Sequence, residues 1–410
     1  MDDQSFNSQI LHTTYPRTDA YNALSMPIYN CAAFEFESAE AMELAFLGKS
    51  TDHTYSRITN PTVQYFEKRI QTITGAMSVT ALNSGMAAIT NVLITIGQSG
   101  ANVVTSPHLF GNTYSLMSST LAAFGLELRL CDLTNPKEVE ANIDENTCCV
   151  FLEIITNPQL EVIDLKSISE ITKRKKVPFI ADTTIIPFSS FKAKDFGVDI
   201  DVVSSTKYIS GGATSLGGLI VDYGTYDWNN SKKLNSMAQS FGPMAFTAKL
   251  RKEVHRNLGA YMSPQVAYMQ TLGLETMTLR YEKASRSCFE LAQKLENCKN
   301  IESVNYIGLI NNRFYEVSRS QFGANPGAMF TIDLLSREAC FQFLNKLKLI
   351  KRATNLFDNK TLALHPASTI YGTFTAEIRE KLHVSDKTIR FSVGLESVDN
   401  LYHDIVQALQ

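Results

Sequence analysis

The polar residues that follow apolar segments are the ones in this sequence best suited to chemistry. Ser84-Gly85-Met86 opens a helix-like segment, and a helix N-terminus with free backbone N–H groups suits a phosphate. Asp182 ends an apolar run, where a carboxylate can pair with a protonated ring nitrogen. Lys207 follows another apolar run, where a lysine amine can react with an aldehyde. Phosphate, ring nitrogen and aldehyde together indicate one cofactor, pyridoxal phosphate.

Each of these features also has a plainly structural interpretation. A Ser-Gly before a helix is typical of an N-cap, and an aspartate at a strand end is typical of a turn. A lysine shortly before Gly211-Gly212 is typical of a solvated loop. Ser204 and Thr206 flank this segment and could donate hydroxyl hydrogens to the same phosphate. The order of these residues, each at a strand end, favours the cofactor.

The elements that must position these residues follow from the hydrophobic pattern. Strand-length apolar runs alternate with helical stretches from about residue 60 to 225, which predicts an α/β domain with a parallel sheet covered by helices. Ligands of such sheets bind beyond the carboxyl ends of the strands. A polar loop at 224–240 and a smaller α+β domain should follow. The strands predicted in the larger domain are Asn102–Thr105, Thr147–Ile154, Val177–Ala181, Ile200–Val203 and Gly218–Val221, and its helices include Val63–Thr74, Asn112–Phe124 and Leu165–Lys175.

Composition excludes several classes of protein. The chain has 410 residues, of which 44% are apolar and 19% charged, so it can bury a large core. Its 38 basic and 41 acidic residues give a net charge of −3, which does not favour nucleic acid as a partner. No apolar stretch approaches the roughly 20 residues of a membrane helix. The polar N-terminus lacks the features of a signal peptide, and seven scattered cysteines suit a reducing compartment, so a cytoplasmic location is expected.

Four motifs in order resemble one known family. The chain resembles the Cys/Met-metabolism family of pyridoxal-phosphate enzymes, which includes cystathionine γ-synthase, the cystathionine lyases, methionine γ-lyase and O-acetylhomoserine sulfhydrylase. The resemblance runs from about residue 10 to the C-terminus. The motifs that carry it are Tyr55-Ser56-Arg57-Ile58-Thr59-Asn60-Pro61-Thr62, Asn83-Ser84-Gly85-Met86, Ser204-Ser205-Thr206-Lys207-Tyr208 and Leu364-His365-Pro366-Ala367-Ser368, with Arg390-Phe391-Ser392-Val393-Gly394 beyond them.

The resemblance implies a fold and an assembly. The fold is the PLP-dependent transferase fold type I, a mostly parallel central sheet covered by helices, with a smaller C-terminal α+β domain. Residues 1–58 are expected to form an arm that reaches a neighbouring subunit, 59–250 the cofactor-binding domain and 251–410 the C-terminal domain. A homotetramer, a dimer of dimers with shared active sites, is the expected assembly.

The resemblance also assigns roles to individual residues. Lys207 is expected to bind the cofactor aldehyde and to act in catalysis, and Asp182 to face the ring nitrogen. Tyr55 and Arg57 are expected to reach the phosphate of a neighbouring subunit, where a guanidinium suits an anion. The phosphate cradle is implied to consist of Ser84, Gly85, Met86, Ser204 and Thr206, and the substrate-binding residues are implied to be Asn157, Asn355 and Arg390, the last of which holds the α-carboxylate.

Two departures from the family pattern bear on the reaction. Phe110-Gly111 stands where the family usually has Tyr-Gly, so a ring for stacking on the cofactor remains without an ionisable hydroxyl. Asn355-Leu356 is more similar to the sulfhydrylases than to the lyases, which commonly have Ser-Leu there. Expulsion of a carboxylate needs less acid assistance than expulsion of a thiolate. We therefore expect a transferase of methionine biosynthesis that joins O-acetylhomoserine and sulfide or a small thiol, with a C–S lyase or cystathionine γ-synthase as the alternative.

Other functional classes have less support in the sequence. A catalytically silent regulator would not need Lys207, Asp182 and Arg390, which are all present. A nicotinamide enzyme would need the G-x-G-x-x-G spacing, which the glycine-rich stretch 211–218 lacks. A metal site is not expected because the seven histidines are scattered and no zinc-binding spacing occurs. His365 is expected to be a structural hydrogen-bonding residue.

Overall fold

The computed structural model describes residues 6–14, 21–324 and 326–410. Parts of the expected N-terminal arm, residues 1–5 and 15–20, lie outside the described residues. Among the helices described, none combines the length and the apolar character that crossing a membrane requires.

The described residues contain sixteen α-helices and twelve strands, numbered along the chain. The helices are α1 Phe6–His12, α2 Ala39–Phe46, α3 Pro61–Thr74, α4 Gly85–Ile96, α5 Gly111–Ser115, α6 Pro136–Asn142, α7 Leu165–Lys175, α8 Asn235–Phe241, α9 Ala245–Lys249, α10 His255–Leu258, α11 Pro264–Glu275, α12 Met277–Leu295, α13 Tyr315–Phe322, α14 Arg337–Lys346, α15 Ala376–Lys381 and α16 Val398–Leu409. The strands are β1 Ser78–Leu82, β2 Asn102–Thr105, β3 Glu127–Leu130, β4 Thr147–Glu153, β5 Phe179–Asp182, β6 Ile200–Val203, β7 Gly218–Asp222, β8 Ser303–Asn305, β9 Met329–Asp333, β10 Lys351–Arg352, β11 Leu362–Leu364 and β12 Thr388–Ser392.

The chain divides into two compact units, each built from separated segments. The first unit comprises the described residues of Met1–Gly97, Asp199–Ser210 and Thr214–Glu275, and the second unit comprises those of Gln98–Val198, Gly211–Ala213 and Thr276–Gln410. The division into an arm and two domains at residues 58 and 250 therefore remains a prediction.

The first unit has an antiparallel sheet of order β1-β7-β6 with helices packed on it. Helix α3 packs against β1, and α4 packs against β7. Local sequence sets the bounds of α3. The Asn60 side chain accepts a hydrogen bond from the backbone N–H of Thr62 at 2.9 Å, and Pro61 occupies the first turn. Gly75, with φ +62°, ends the helix in the left-handed conformation that glycine adopts without strain.

The second unit holds a parallel sheet of order β5-β4-β2-β3. Every residue of β2 is buried, which is typical of a parallel strand covered on both faces. The predicted parallel strands Asn102–Thr105 and Thr147–Ile154 are confirmed here to within one residue. The predicted strand Gly218–Val221 is also present as β7, but in the first unit it runs antiparallel to β6, so the parallel pattern does not extend to it.

The second unit also contains the predicted C-terminal α+β region. Its five-stranded sheet has the order β10-β11-β12-β9-β8. Phe391 on β12 stacks on Phe330 of β9 at 4.9 Å between ring centroids and meets Phe343 of α14. Because side chains alternate along a strand, Arg390 lies on the face of β12 opposite to this aromatic cluster. The sequence of β12 thus places one buried guanidinium on the face away from the core.

Candidate active site

In the first unit, the turn between β1 and α4 is the candidate phosphate cradle. Ser84 caps α4, since its Oγ accepts a hydrogen bond from the backbone N–H of Ala87 at 3.1 Å. The cap leaves the first N–H groups of a twelve-residue helix pointing toward the turn, where an anion binds well. Met86, the second residue of the helix, is half-buried. The predicted N-cap at Ser84 is confirmed.

Ser204, at the end of β6, lies directly against this turn. A Cβ atom added to Gly85 would lie 2.7 Å from the Cβ of Ser204, so no larger residue fits there without a shift. A Cβ added to Gly218 would lie 2.0 Å from the carbonyl oxygen of Ser84. The two glycines therefore permit a close approach of backbone segments, and the structure brings Ser84, Gly85 and Ser204 together as the sequence predicted.

Lys207 lies in the turn after β6, and Thr206 fastens that turn. The Thr206 hydroxyl accepts from the N–H of Gly217 at 3.0 Å and donates to its carbonyl at 3.2 Å. The backbone N–H of Lys207 donates to the carbonyl of Ser204 at 3.1 Å, and its side chain is half-buried. The lysine is thus held by its backbone within the same unit as the cradle. The Thr206 hydroxyl is engaged with Gly217.

Tyr55 and Arg57 lie beside one another on the first unit. The guanidinium carbon of Arg57 is 5.5 Å from the Tyr55 ring centroid, and its Nη1 donates to the carbonyl of Arg256 at 2.6 Å. Arg57 also lines a cavity of about 390 Å³ that includes His255. Burial, together with the charges of Arg251 and Arg57, lowers the pKa of His255 to about 4. The predicted role of Tyr55 and Arg57, binding the phosphate of a neighbouring subunit, remains a prediction.

In the second unit, two carboxylates end neighbouring strands. Glu153 of β4 pairs in register with Asp182 of β5. Glu153 is buried, and its Oε1 accepts from the backbone N–H of Phe110 at 2.7 Å. Burial and the charge of Asp182 raise the pKa of Glu153 well above its usual range. Asp182 is more accessible and accepts from the N–H of Thr184 at 2.9 Å. Asp182 is therefore the member of the pair that suits a ring nitrogen.

Arg390 is a buried cation without a carboxylate partner among the described residues. It is 3% exposed, and burial lowers the pKa of its guanidinium to about 10. Its Nη1 donates to Oδ1 of Asn157 at 3.1 Å, and its Nη2 donates to the carbonyl of Asn355 at 3.2 Å. Its Nε is buried and has no hydrogen-bond partner in the described structure. An arginine left in this state fits a carboxylate ligand.

The three predicted substrate-binding residues thus lie together, but Asn355 participates differently from what its residue type suggests. Its backbone carbonyl contacts Arg390, whereas its side-chain Nδ2 donates to Asp358 at 3.4 Å. A backbone carbonyl is common to every residue type. The choice of asparagine at this position therefore does not explain the contact with Arg390.

Sequence reasoning missed one residue of this network, Tyr371. Its hydroxyl lies 3.0 Å from the carbonyl oxygens of both Leu109 and Asn157. The only local signal was its position shortly after the Leu364–Ser368 motif. By contrast, the structural interpretation of His365 is confirmed, because its ring nitrogens bond to the Ser368 hydroxyl at 2.9 Å and to the Asp386 carbonyl at 2.8 Å.

The first unit holds a capped helix N-terminus and a lysine after a buried strand, and the second unit holds a carboxylate at a strand end. These are the kinds of group that a PLP-dependent enzyme of fold type I requires. The sequence matches the family described as Cys/Met metabolism PLP-dependent enzymes over residues 7–410, and the chain belongs to that family. The predicted cofactor, fold class and enzyme class are thereby confirmed.

Three proteins illustrate the similarity. A solved structure from Campylobacter jejuni that contains N'-pyridoxyl-lysine-5'-monophosphate is 31% identical, with a TM-score of 0.94 over 99% of this chain and 100% of that chain. The O-acetylhomoserine sulfhydrylase structure of Wolinella succinogenes is 42% identical, with a TM-score of 0.77 over 86% of this chain and 99% of that chain. L-methionine gamma-lyase of Fusobacterium nucleatum is 33% identical over 95% of this chain and 94% of its own length.

Proposed function

We propose that the chain catalyses replacement at Cγ of an O-acylhomoserine, with O-acetylhomoserine and sulfide or a small thiol giving homocysteine or a homologue. The observation that carries the amino-acid part of this proposal is Arg390, a buried guanidinium whose Nε has no partner in the described structure. A substrate α-carboxylate would satisfy Nε and neutralise the charge. Asn157, which accepts from Nη1, would hold the guanidinium plane in place.

The candidate residues described above fit pyridoxal phosphate as the group that supplies electron withdrawal. When bound, the cofactor offers an aldehyde to amines and a ring that withdraws electrons from the substrate α-carbon. The N-terminus of α4, with Ser84, Gly85 and Ser204, would hold its phosphate. Asp182 would keep the ring nitrogen protonated. Lys207 Nζ would hold the aldehyde and, as a free amine, would take the proton from the substrate α-carbon.

Phe110 favours an activated ester as the substrate. Glu153 holds the backbone N–H of Phe110 and thereby the segment that carries the ring. The ring can stack but can neither donate nor accept a proton. Loss of acetate from Cγ needs little acid assistance, whereas loss of a thiolate benefits from a nearby acid. The 42% identity with the Wolinella succinogenes sulfhydrylase supports the same choice.

A C–S lyase is the second candidate, and the 33% identity with L-methionine gamma-lyase favours it. Incubation of the purified holoenzyme with O-acetylhomoserine, O-succinylhomoserine, O-phosphohomoserine, methionine or cystathionine, each with and without sulfide, separates the candidates. Mass spectrometry of the products should show homocysteine formed from the acetyl ester only when sulfide is present. Rapid release of a 2-oxo acid from methionine or cystathionine, without a sulfide-dependent product, would refute the replacement reaction.

We also propose that the chain works as a homotetramer in the cytoplasm. Helix α2 supports the assembly, because its side chains Met42, Leu44 and Phe46 are exposed and the helix has no buried residue. Exposed apolar side chains on a helix that buries none of its own residues are typical of an interface. Another copy of the chain, with Tyr55 and Arg57 completing its phosphate site, is the partner that the family resemblance implies.

A further inference from the structure

Tyr371 is a buried phenol that no role assigned above requires. Its side chain is 0% exposed, and it packs with Ala367, Leu382 and Val384 in a small apolar cluster. Burial raises the pKa of Tyr371 far above the usual range, so the hydroxyl stays protonated and donates. Both acceptors within reach, the carbonyls of Leu109 and Asn157, belong to segments that carry candidate site residues.

The first acceptor belongs to the peptide group that positions the Phe110 ring. The carbonyl of Leu109 and the N–H of Phe110 are the two ends of one peptide bond. Tyr371 donates to the carbonyl at 3.0 Å, and Glu153 accepts from the N–H at 2.7 Å. Because a planar peptide group bonded at both ends cannot rotate freely, the backbone from which the Phe110 side chain extends is held in place.

The second acceptor belongs to the residue that orients Arg390. Tyr371 lies 3.0 Å from the Asn157 carbonyl, and Oδ1 of the same asparagine accepts from Nη1 of Arg390 at 3.1 Å. The hydroxyl of Tyr371 has one hydrogen, which is shared between, or alternates between, the carbonyl of Leu109 and the carbonyl of Asn157.

The segment that carries Tyr371 is itself held against the same two stretches of chain. A Cβ added to Gly111 would lie 2.8 Å from the carbonyl of Ile370, so the backbones touch there. The Gln159 side chain donates to the carbonyl of Leu382 at 2.8 Å, and the rings of His108 and His383 are joined by a 2.8 Å hydrogen bond. These contacts fix the position of the phenol before any ligand binds.

We infer that Tyr371 is a positioning residue whose hydroxyl ties the peptide of Phe110 to the backbone of Asn157, so that the cofactor-stacking ring and the α-carboxylate site are held in one fixed relation. This inference rests on the proposed roles of Phe110, Asn157 and Arg390. It deepens the proposed function by naming what aligns an amino-acid substrate with the cofactor ring.

The test compares two buried tyrosines in the same unit. Tyr371→Phe removes the hydroxyl and keeps the ring. Tyr306→Phe is the matched control, because Tyr306 is also fully buried and donates to a backbone carbonyl, that of Gly327, at 3.0 Å. Each cofactor-loaded variant is titrated with glycine, which has a carboxylate, and with methylamine, which does not, while the cofactor absorbance is followed. KM and kcat for the best amino-acid substrate are then measured.

Tyr371→Phe should weaken glycine binding about tenfold, as expected for one lost hydrogen bond in a charged network, and leave methylamine binding unchanged. KM for the amino acid should rise more than kcat falls, and Tyr306→Phe should show neither effect. In an Arg390→Leu background, the Tyr371 substitution should add nothing to the loss, since the two act through one site. Unchanged glycine binding, an equal loss for both amines, or the same loss in Tyr306→Phe would overturn the inference.

Glycine binding does not depend on the acyl group or on the incoming nucleophile. Failure to turn over O-acetylhomoserine with sulfide would therefore refute the proposed function and leave the titration decisive for Tyr371. The melting temperatures of both variants report on folding. A large decrease in melting temperature for Tyr371→Phe alone, together with equally weakened binding of glycine and methylamine, would count against a positioning role.

Discussion

The two units of the molecule contribute different kinds of groups to the proposed function. The first unit exposes large apolar side chains along α2, namely Met42, Leu44 and Phe46, and its candidate site consists mainly of backbone and hydroxyl groups. The second unit buries Arg390, Glu153 and Tyr371 in a hydrogen-bonded network. The proposed assembly surface therefore lies on the first unit, and the second unit holds preorganised polar groups that the proposed function assigns to binding an amino acid.

A pair of arginines makes this difference concrete. Arg69 in the first unit is buried and pairs with Glu275 at 2.8 Å, so its charge is neutralised within the chain. Arg390 in the second unit is equally buried and has no carboxylate partner among the described residues. A buried charge without a partner costs stability. The first arginine is therefore interpreted as structural and the second as functional.

The largest expected effect comes from exchanging these arginines for leucine. Arg390→Leu should raise KM for the amino-acid substrate about 100-fold, because it removes charge-assisted bonds to the carboxylate. Its melting temperature should stay the same or rise. Arg69→Leu should leave KM unchanged and lower the unfolding free energy by about 1 to 3 kcal/mol. This loss is smaller than for a fully buried ion pair because Glu275 is partly exposed to solvent. Steady-state kinetics and thermal melting of both variants provide the check, and a reversed pattern would refute the distinction.

Two buried aspartates should give opposite dependences of stability on pH. Burial raises the pKa of Asp222 in the first unit to about 6, despite bonds from Thr247 and Gly224. A folded-state pKa above the unfolded value means that the folded protein holds the proton more tightly, so this contribution to stability falls as pH rises from about 4 to about 6. Asp222→Asn should remove that decline and stabilise the protein at pH 7 by about 2 kcal/mol.

Asp404 in the second unit is the matched control. Burial alone would raise its pKa, but backbone N–H groups of Ile350, Lys348 and Leu349 together lower it. Its contribution is present above the unfolded pKa and is lost as pH falls, so Asp404→Asn should destabilise the protein at pH 7. Urea unfolding from about pH 2 to pH 8 covers both windows, because the Asp222 contribution changes between about pH 4 and 6 and the Asp404 contribution changes below about pH 4. If both substitutions changed the unfolding free energy in the same direction, the interpretation that burial raises the pKa of Asp222 would be contradicted.

Phe110→Tyr tests whether the absence of a hydroxyl group at position 110 limits the cleavage of thioether substrates. At the proposed stacking position, an added phenol would supply an acid for thiolate departure. The ratio of methionine or cystathionine cleavage to sulfide-dependent replacement should therefore rise about three- to tenfold. The two rates are compared on the same preparation. An unchanged or lower ratio would remove the leaving-group argument for an acyl ester.

Substitutions on α2 should have the smallest effect on the stability of the chain, but they should change its assembly. Met42→Asp combined with Phe46→Asp should reduce the mass measured by light scattering, because charged groups do not pack in an apolar interface. The unfolding free energy of the separated chain should change by less than about 0.5 kcal/mol, since both side chains are exposed. Phe124→Asp, an exposed phenylalanine of the second unit, should leave the mass unchanged. A mass unaffected by the α2 pair would refute α2 as an interface.

The features that were predicted best from the sequence are those that local sequence patterns determine. Helix α7, with an aspartate cap and basic residues in its last turn, was predicted with its observed bounds, and the N-cap at Ser84 is also confirmed. The predicted helical stretch Asn112–Phe124 is helical over its whole length, but it is an α-helix only up to Ser115. A π-helical segment and a 3₁₀ turn follow to Phe124. The predicted loop 224–240 contains the start of α8, whose one buried residue, Ala238, gives a weak hydrophobic pattern.

Tertiary contacts account for what the sequence could not predict. Tyr371 acts on carbonyls of Leu109 and Asn157, which are more than 200 positions away, and backbone acceptors leave no trace in residue types. The carbonyl of Asn355 escaped prediction for the same reason. Strand β1 was missed because Ser78–Leu82 is short and shows no clear alternation. Motifs therefore identified the residues that carry chemistry, and the structure identified those that hold them.

The covalent site of the cofactor is the most direct test of the whole account. The holoenzyme is reduced with borohydride, digested and mapped by mass spectrometry. The pyridoxyl-phosphate group should be found on the peptide that contains Lys207, and Lys207→Ala should abolish both the label and the activity, while exposed Lys192→Ala should change neither. A label on another lysine, or an active Lys207→Ala enzyme, would contradict the account.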